Sequence, residues 1–363
     1  MSVKRVSILF LSLIMILSLI ACGGSEPAET EPDTTTLPPQ TTGTTTTTTS
    51  TTTTTSTSTT SEPPAPEAEL LFPDRYPIAF MINNVAPARP QSGLSQAKLI
   101  YQMMTEARTT RLLMLSDAEE GVVGPVRSAR PAYLDLVAQH QAFYAYAGNY
   151  RVIEPSPVVN DIRILDALKG FYGMFYRTDH RVAPHNLYTT MERAYTWAEN
   201  AYGDIEPEEA VEGLRVHENF VDISGGEPVV HVAYSFSGLN EAFVYDEENK
   251  VYNKLNNDVL LVDEQTKETL EIANIIVLHR PHGLMPNEVH TKVEWVDEDV
   301  AATYLTGGKK HDITWDKASH TDPIIYYLDG EELVLNPGLT WVIVVDDQAL
   351  ATVVYSQVSE VQR

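Results

Sequence analysis

Between residues 70 and 213 the apolar positions fall mostly in short runs rather than at helical spacing. Pro77-Ile78-Ala79-Phe80-Met81-Ile82-Asn83-Asn84 is a brief apolar stretch bounded by Pro and Asn, and it reads as a buried strand. Ile100 to Glu106 and Arg111 to Asp117 read as two more, joined by a tight turn at Ala107 to Thr110. A helix is predicted from about Ala132 to Gln139, then a strand from Ala142 to Ala147 closed by Gly148. Further on, Met191, Ala194, Tyr195, Ala198 and Tyr202 recur at helical spacing behind Thr189 or Thr190, hydroxyls suited to cap a helix. Strands alternating with helices predict a mixed or parallel sheet under helices, with ligands at the carboxyl ends of its strands.

From residue 214 the pattern changes. Short alternating runs recur at Val230–Phe236, Ala242–Asp246, Val251–Leu255, Asn274–Leu278, Val289–Trp295, Ala301–Leu305, Asp312–Trp315, Ile324–Leu328 and Trp341–Val345. Asp246–Asn249, Gly307-Gly308 and Asp329-Gly330 supply hairpin turns between them. This regular spacing predicts antiparallel sheet with Trp295, Trp315 and Trp341 in or beside its core. The fold class expected is therefore α+β: an N-terminal mixed α/β domain with helices (70–213), followed by a mainly antiparallel β domain (214–363).

The first 69 residues have a different character. Residues 1–21 carry Lys4 and Arg5, an apolar-dominated run from Ile8 to Ile20 and a small residue at the end, the anatomy of a secretory signal peptide. Thirteen such positions are too few to cross a bilayer core comfortably. The run ends Leu19-Ile20-Ala21-Cys22-Gly23, which resembles a bacterial lipobox; that resemblance implies cleavage, lipidation at Cys22 and an anchor on the extracytoplasmic face of the cell membrane. Cys22 is the sole cysteine, so no disulfide staples the core. Residues 22–69 are dominated by Thr, Ser, Pro and Glu, with a Thr/Ser tract from Thr44 to Ser61. Such a stretch has no apolar face to bury and is expected to form a disordered tether, spanning on the order of 40 Å.

Charge sharpens the functional reading. The formal net charge is −25, yet Arg75–Arg193 holds 13 Lys and Arg, 11 of them Arg, against 10 Asp and Glu. The remainder carries 12 basic and 40 acidic residues. An acidic chain with an Arg-rich island lacks the broad basic face of a nucleic-acid binder, so no nucleic acid is expected as a partner, while the island suits selective capture of an anion.

The stretch Pro125-Val-Arg-Ser-Ala-Arg130 places Arg127 and Arg130 around Ser128 at a strand-to-helix junction. Two planar five-donor forks beside free backbone N–H groups suit phosphate or carboxylate. Arg177, Arg181, His185 and Asn186 lie on a polar loop that would close over the same pocket, and Arg89, Gln91, Ser92 and Arg111 complete the candidate ligand-binding set. Glu106 and His185 are the candidates for acid or base work, since an imidazole titrates near neutrality. The competing reading pairs these arginines internally with Asp117, Asp135 or Glu106. His279-Arg280-Pro281-His282 with His290 is a weak zinc pattern, and the acidic run Glu294, Asp297, Glu298, Asp299 lacks the spacing and glycine of a calcium loop. Neither a metal nor a cofactor is expected.

Four blocks, Ala88-Arg-Pro-Gln-Ser-Gly-Leu-Ser95, Gly124-Pro-Val-Arg-Ser-Ala-Arg130, Ala183-Pro-His-Asn-Leu-Tyr188 and Leu335-Asn-Pro-Gly-Leu-Thr-Trp341, are similar to the signature blocks of the YerB-like lipoprotein family of Gram-positive bacteria. The resemblance runs in order from Arg75 to Val345 and implies a lipid-anchored extracytoplasmic protein with two conjoined domains and no established reaction. Two departures stand out. Asn83 replaces the family's usual Asp after the first strand, and Glu106-Ala-Arg-Thr-Thr-Arg111 replaces a Glu-Gly-Gly-Ile-Thr-Arg block. Without its glycines that turn either needs no positive φ or bears strain. The expected function is a non-enzymatic envelope binding or scaffold protein whose pocket takes an anionic wall-related ligand or an envelope protein partner. The alternative is an enzyme acting on phosphorylated or glycosidic envelope material.

Overall fold

β-branched and aromatic residues in runs of four to ten, punctuated by Gly, Asp and Asn, make this chain a stack of strands. The computed structural model describes residues 68–208, 210–236 and 238–358; the expected signal peptide, Cys22 and the tether through residue 67 lie outside them. Ala68–Leu70 pairs antiparallel with Arg215–His217, so two residues assigned to the expected tether, Ala68 and Glu69, belong to a strand.

The first stretch supplies β1 (Ile78–Asn83), β2 (Leu99–Met104), β3 (Thr110–Ser116), β4 (Phe143–Tyr146) and β5 (Arg163–Asp166). The second supplies β6 (His231–Phe236), β7 (Leu239–Asp246), β8 (Val251–Asn256), β9 (Glu271–His279), β10 (Asp297–Thr306), β11 (Lys309–Lys317), β12 (Ile325–Leu328) and β13 (Leu339–Val345). Ten of these run side by side in the order β5-β4-β1-β3-β2-β13-β9-β10-β11-β12. The pairs β5–β4, β4–β1, β2–β13 and β13–β9 are parallel and the others antiparallel. The meander β6-β7-β8 joins through β8 to the start of β9. One sheet thus passes from the first stretch into the second at the seam where β2 meets β13.

Period-two alternation sends successive side chains to opposite faces. Ile78, Phe80 and Ile82 of β1 enter one core with Met191, Ala194, Tyr234, Phe243 and Trp341. Ala79 and Met81 enter the other with Leu136, Val137, Trp295 and Trp315. The first core is covered by α2 (Met191–Tyr202) and the second by α1 (Leu134–Gln139). Thr190 caps α2, its hydroxyl accepting the Arg193 N–H at 3.3 Å, and Gly203 at φ +84° ends it. Gly307-Gly308 and Asp329-Gly330 hold the positive φ values that hairpin turns require.

The α+β expectation needs correction toward β. Helix accounts for 15% of the chain and strand for 42%, so the protein is mostly β with few helices. The polar span after Gly148 folds as 3-10 turns and two-stranded pieces, and α1 is a single six-residue helix. The turn at Ala107 resolves the glycine question. Ala107 and Arg108 sit at φ +54° and +57°, so non-glycine residues occupy left-handed positions there and bear the strain.

Candidate functional site: an arginine-lined crevice at the sheet's switch point

After β1 the chain turns toward β3 and β2, whereas after β4 it turns the other way, to β5. Neighbouring parallel strands whose continuations diverge leave a crevice at their carboxyl ends. Pro125–Ser128 is wedged into it. The Asn83 N–H donates to the Pro125 carbonyl (2.9 Å), the Arg127 N–H to the Met81 carbonyl (2.8 Å), and the Ala147 N–H to the Arg127 carbonyl (3.0 Å). The Val126 N–H donates to the Leu187 carbonyl at 2.7 Å, which ties the wedge to the polar loop. Gly148 permits this approach, because a Cβ there would lie 2.4 Å from the Ser128 Cβ.

Three guanidiniums meet at the mouth. Arg111, opposite Asn83 in the β1–β3 register, is 7% exposed and donates to the Ser128 carbonyl. Burial and then the charge of Arg130 lower its pKa to about 10; Glu106 acts against this and Arg127 with it. Arg130 is paired with Glu106, and His290 Nε2 lies 3.4 Å from the same carboxylate. Arg127 is half-buried, its pKa lowered by burial and by Arg130, and its guanidinium has no hydrogen-bond or carboxylate partner among the described residues. His185 faces it from the polar loop. The Asn83 amide donates to His185 Nδ1 at 2.8 Å, and burial, Arg127 and Arg181 hold the imidazole below its usual pKa, so it is neutral at pH 7.

The other expected residues have structural partners. Arg89 donates to the Asn84 side chain (3.2 Å) and carbonyl, and Gln91 to the Asn83 carbonyl and Asn84 side chain, both at 3.0 Å. Arg177 donates to Asn186 Oδ1 (2.7 Å), whose amide donates to the Thr178 carbonyl (2.9 Å) and pins the loop. Arg181 is neutralised by Glu264 at 2.8 Å, and Ser92 and Tyr188 donate to the same carboxylate at 2.8 and 2.9 Å. Asp117 is taken by Lys98 and Asp135 by His320, each at 2.6 Å, so of the carboxylates considered from sequence only Glu106 meets the Pro125–Arg130 arginines. The histidines of the zinc pattern go separate ways: His279 to Asp347, His282 to the Arg280 carbonyl and His290 to Glu106.

Sequence reading missed four contributors. Glu264 comes from a polar turn far along the chain. Tyr144, Tyr146 and Asp166 lie buried on the sheet face that carries Arg111, with Tyr146 opposite Asp166 in the β4–β5 register. The Tyr-x-Tyr alternation in β4 was the signal available for two of them. Two clefts lie outside this group of side chains. One of about 470 Å³ begins at Pro131 and Ala132, directly after Arg130, and another of about 930 Å³ lies by Leu70, Lys98 and Leu339.

A mixed sheet buried on both faces, with the Pro125–Ser128 wedge at its switch point, defines the class of protein. The N-terminal domain of the protein of unknown function family DUF3048 matches residues 60–204, and its C-terminal domain matches residues 230–342. The chain belongs to this family, as its similarity to YerB-like proteins implied. Among individual proteins it is 23% identical, over 77% of its length and 84% of the other's, to the Bacillus subtilis (strain 168) protein named "Putative lipoprotein YerB". The crystal structure of YerB protein from Bacillus subtilis superposes with a TM-score of 0.67 at 22% identity, covering 78% of this chain and 94% of that one, which establishes a shared fold.

Proposed function

We propose that this is a lipid-anchored envelope protein, held outside the cell by Cys22 and its tether, whose crevice captures an anionic ligand or partner without chemically changing it. The observation that carries the reading is Arg127: a half-buried guanidinium beside Arg111 and Arg130, free of any internal partner among the described residues. Burying cations close together costs stability unless something compensates, and an incoming anion does so with charge-assisted hydrogen bonds. The lipid anchor rests on the Leu19–Gly23 block and on the name of the Bacillus relative. Binding is favoured over catalysis because Glu106, the acid nearest the arginines, is engaged by Arg130 and His290 and serves there as a counter-charge. The test is retention of anionic envelope material on the immobilised protein. Wild type should retain polymer or glycan fragments that Arg127→Ala releases, with both proteins equally stable to urea; equal retention by the two would remove the crevice from the function.

A further inference from the structure

The wedge that carries Arg127 is held from far along the chain by one carboxylate. Glu264 lies in the turn between β8 and β9, within the stretch matched by the C-terminal family domain, yet its side-chain partners all belong to the N-terminal one. Its Oε1 meets His180 Nε2 at 2.9 Å and accepts from Arg181 at 2.8 Å, and its Oε2 accepts the Ser92 hydroxyl at 2.8 Å and the Tyr188 hydroxyl at 2.9 Å. Burial raises the pKa of this carboxyl, but Ser92, Tyr188, Arg181 and His180 together outweigh that and leave it ionised at neutral pH. The turn itself is fixed to the same neighbourhood. The Glu264 N–H donates to the Gln91 carbonyl at 2.8 Å, and the buried Asp263 carboxylate accepts the Gly93 and Ser95 N–H groups at 2.8 and 3.2 Å.

Two of these donors clamp Gly124, the residue just before the wedge. Ser92 and Gly124 exchange a pair of backbone hydrogen bonds at 2.8 and 3.1 Å, and the Tyr188 ring packs so closely that a Cβ on Gly124 would lie 2.6 Å from it. Arg127 follows three residues on. Tyr188 also adjoins Leu187, whose carbonyl accepts the Val126 N–H, and His185 stands three positions before it on the same loop. Ser92, Gly124 and Tyr188 thus draw residues 88–95, 124–130 and 183–188 together around one acid from the other domain. A binding group displaced by about 1 Å loses much of its interaction, so what fixes the wedge also fixes the affinity of Arg127.

We propose that Glu264 is a positioning residue for the crevice: through Ser92 and Tyr188 it sets the wedge and the polar loop so that Arg127 stands beside His185, and the second domain thereby governs anion capture by the first. Glu264 acts through these two residues and not on the ligand. The proposal rests on the anion-capture reading and adds to it the residue that tunes the site.

Inorganic phosphate, titrated into the whole chain labelled with 15N-arginine, reads affinity at the Arg127 Nε–Hε resonance. Glu264→Gln keeps the shape of the anchor, because the Ser92 and Tyr188 hydroxyls can accept from an amide as well as donate to a carboxylate. It should bind within about threefold of wild type, while Glu264→Ala should bind at least about tenfold more weakly, with the Arg127 resonance displaced before any phosphate is added. Ser92→Ala with Tyr188→Phe cuts both links to the wedge and leaves Arg181 to hold Glu264, so it reports even where Glu264→Ala does not fold, and it should weaken phosphate in the same way. Unchanged affinity in that double variant would overturn the proposal and leave anion capture standing. Tighter binding by Glu264→Gln than by wild type would also overturn it, by showing that Glu264 acts by cancelling the charge of Arg181. Phosphate that leaves the wild-type Arg127 resonance unmoved would remove anion capture itself, and the proposal with it.

Discussion

Arg127 is the residue on which the functional account turns, and its neighbours show why sequence reached only part of the site. Arg127, Ser128 and Arg130 stand together in the chain, so their shared surroundings were legible; the partners of Arg111, Arg130 and Arg181 come from 17 to more than 80 positions away. Arg181 looked as available as Arg127, but Glu264 neutralises it. A different residue-scale test concerns Ala107. Replacing it by glycine removes a Cβ from a left-handed position and should stabilise the protein by about 1 kcal/mol, measured as a higher urea midpoint at unchanged slope. No gain would mean that Cβ strain at this turn is negligible. Arg108 stays untouched in that variant, and with it the bridge to Asp346.

At the scale of elements, strands were read well wherever an apolar run ended in Gly, Asn or Asp, because burial and turn chemistry agreed there. β1, β3 and α2 fall within a residue or two of expectation. What periodicity could not give was which strands meet, and the β2–β13 seam joins residues more than 230 positions apart. A buried cluster locks it. Lys254 of β8 donates to Glu241 of β7 and to Tyr234 of β6, each at 2.5 Å, while Gln102 of β2 donates to both Glu241 oxygens at 2.7 and 2.8 Å and accepts from the Trp341 indole at 3.0 Å. Lys254 and Glu241 are each 1% exposed. Lys254→Met strands a buried carboxylate and should cost about 3–5 kcal/mol in urea unfolding, whereas Lys254→Met with Glu241→Leu should recover much of that loss. Equal cost in the single and double variants would show that packing, and not the unpaired charge, sets the penalty.

For the whole molecule, a sheet continuous through both family domains predicts that they unfold together. Far-ultraviolet dichroism and tryptophan fluorescence should follow one urea transition, since Trp295, Trp315 and Trp341 occupy both cores and Trp341 lies on β13 at the seam. Two separated transitions would show that the seam is not part of the cooperative unit. Acid should weaken this unit early. His140, fully buried against Tyr101, is held down to about 3 by burial and then by Lys317, while an unfolded histidine titrates near 6.5. The folded state refuses a proton that the unfolded chain accepts. Stability is therefore complete above about pH 6.5 and falls as pH drops toward 3, by up to about 1.4 kcal/mol per pH unit for this one group. His140→Gln should flatten the decline measured between pH 7.5 and pH 5, and an unchanged slope would assign it elsewhere.

The long acidic remainder of the chain repels anions at a distance, which leaves a local exception at the switch point as the central claim. Side-chain Nε–Hε resonances of arginine, in protein labelled with 15N-arginine, report on it directly. On adding inorganic phosphate, the Arg127 resonance should shift and saturate along one curve with Arg111 and Arg130, while Arg181, already held by Glu264, stays still. Saturable shifts that omit Arg127, or shifts shared uniformly by every exposed arginine, would contradict the account.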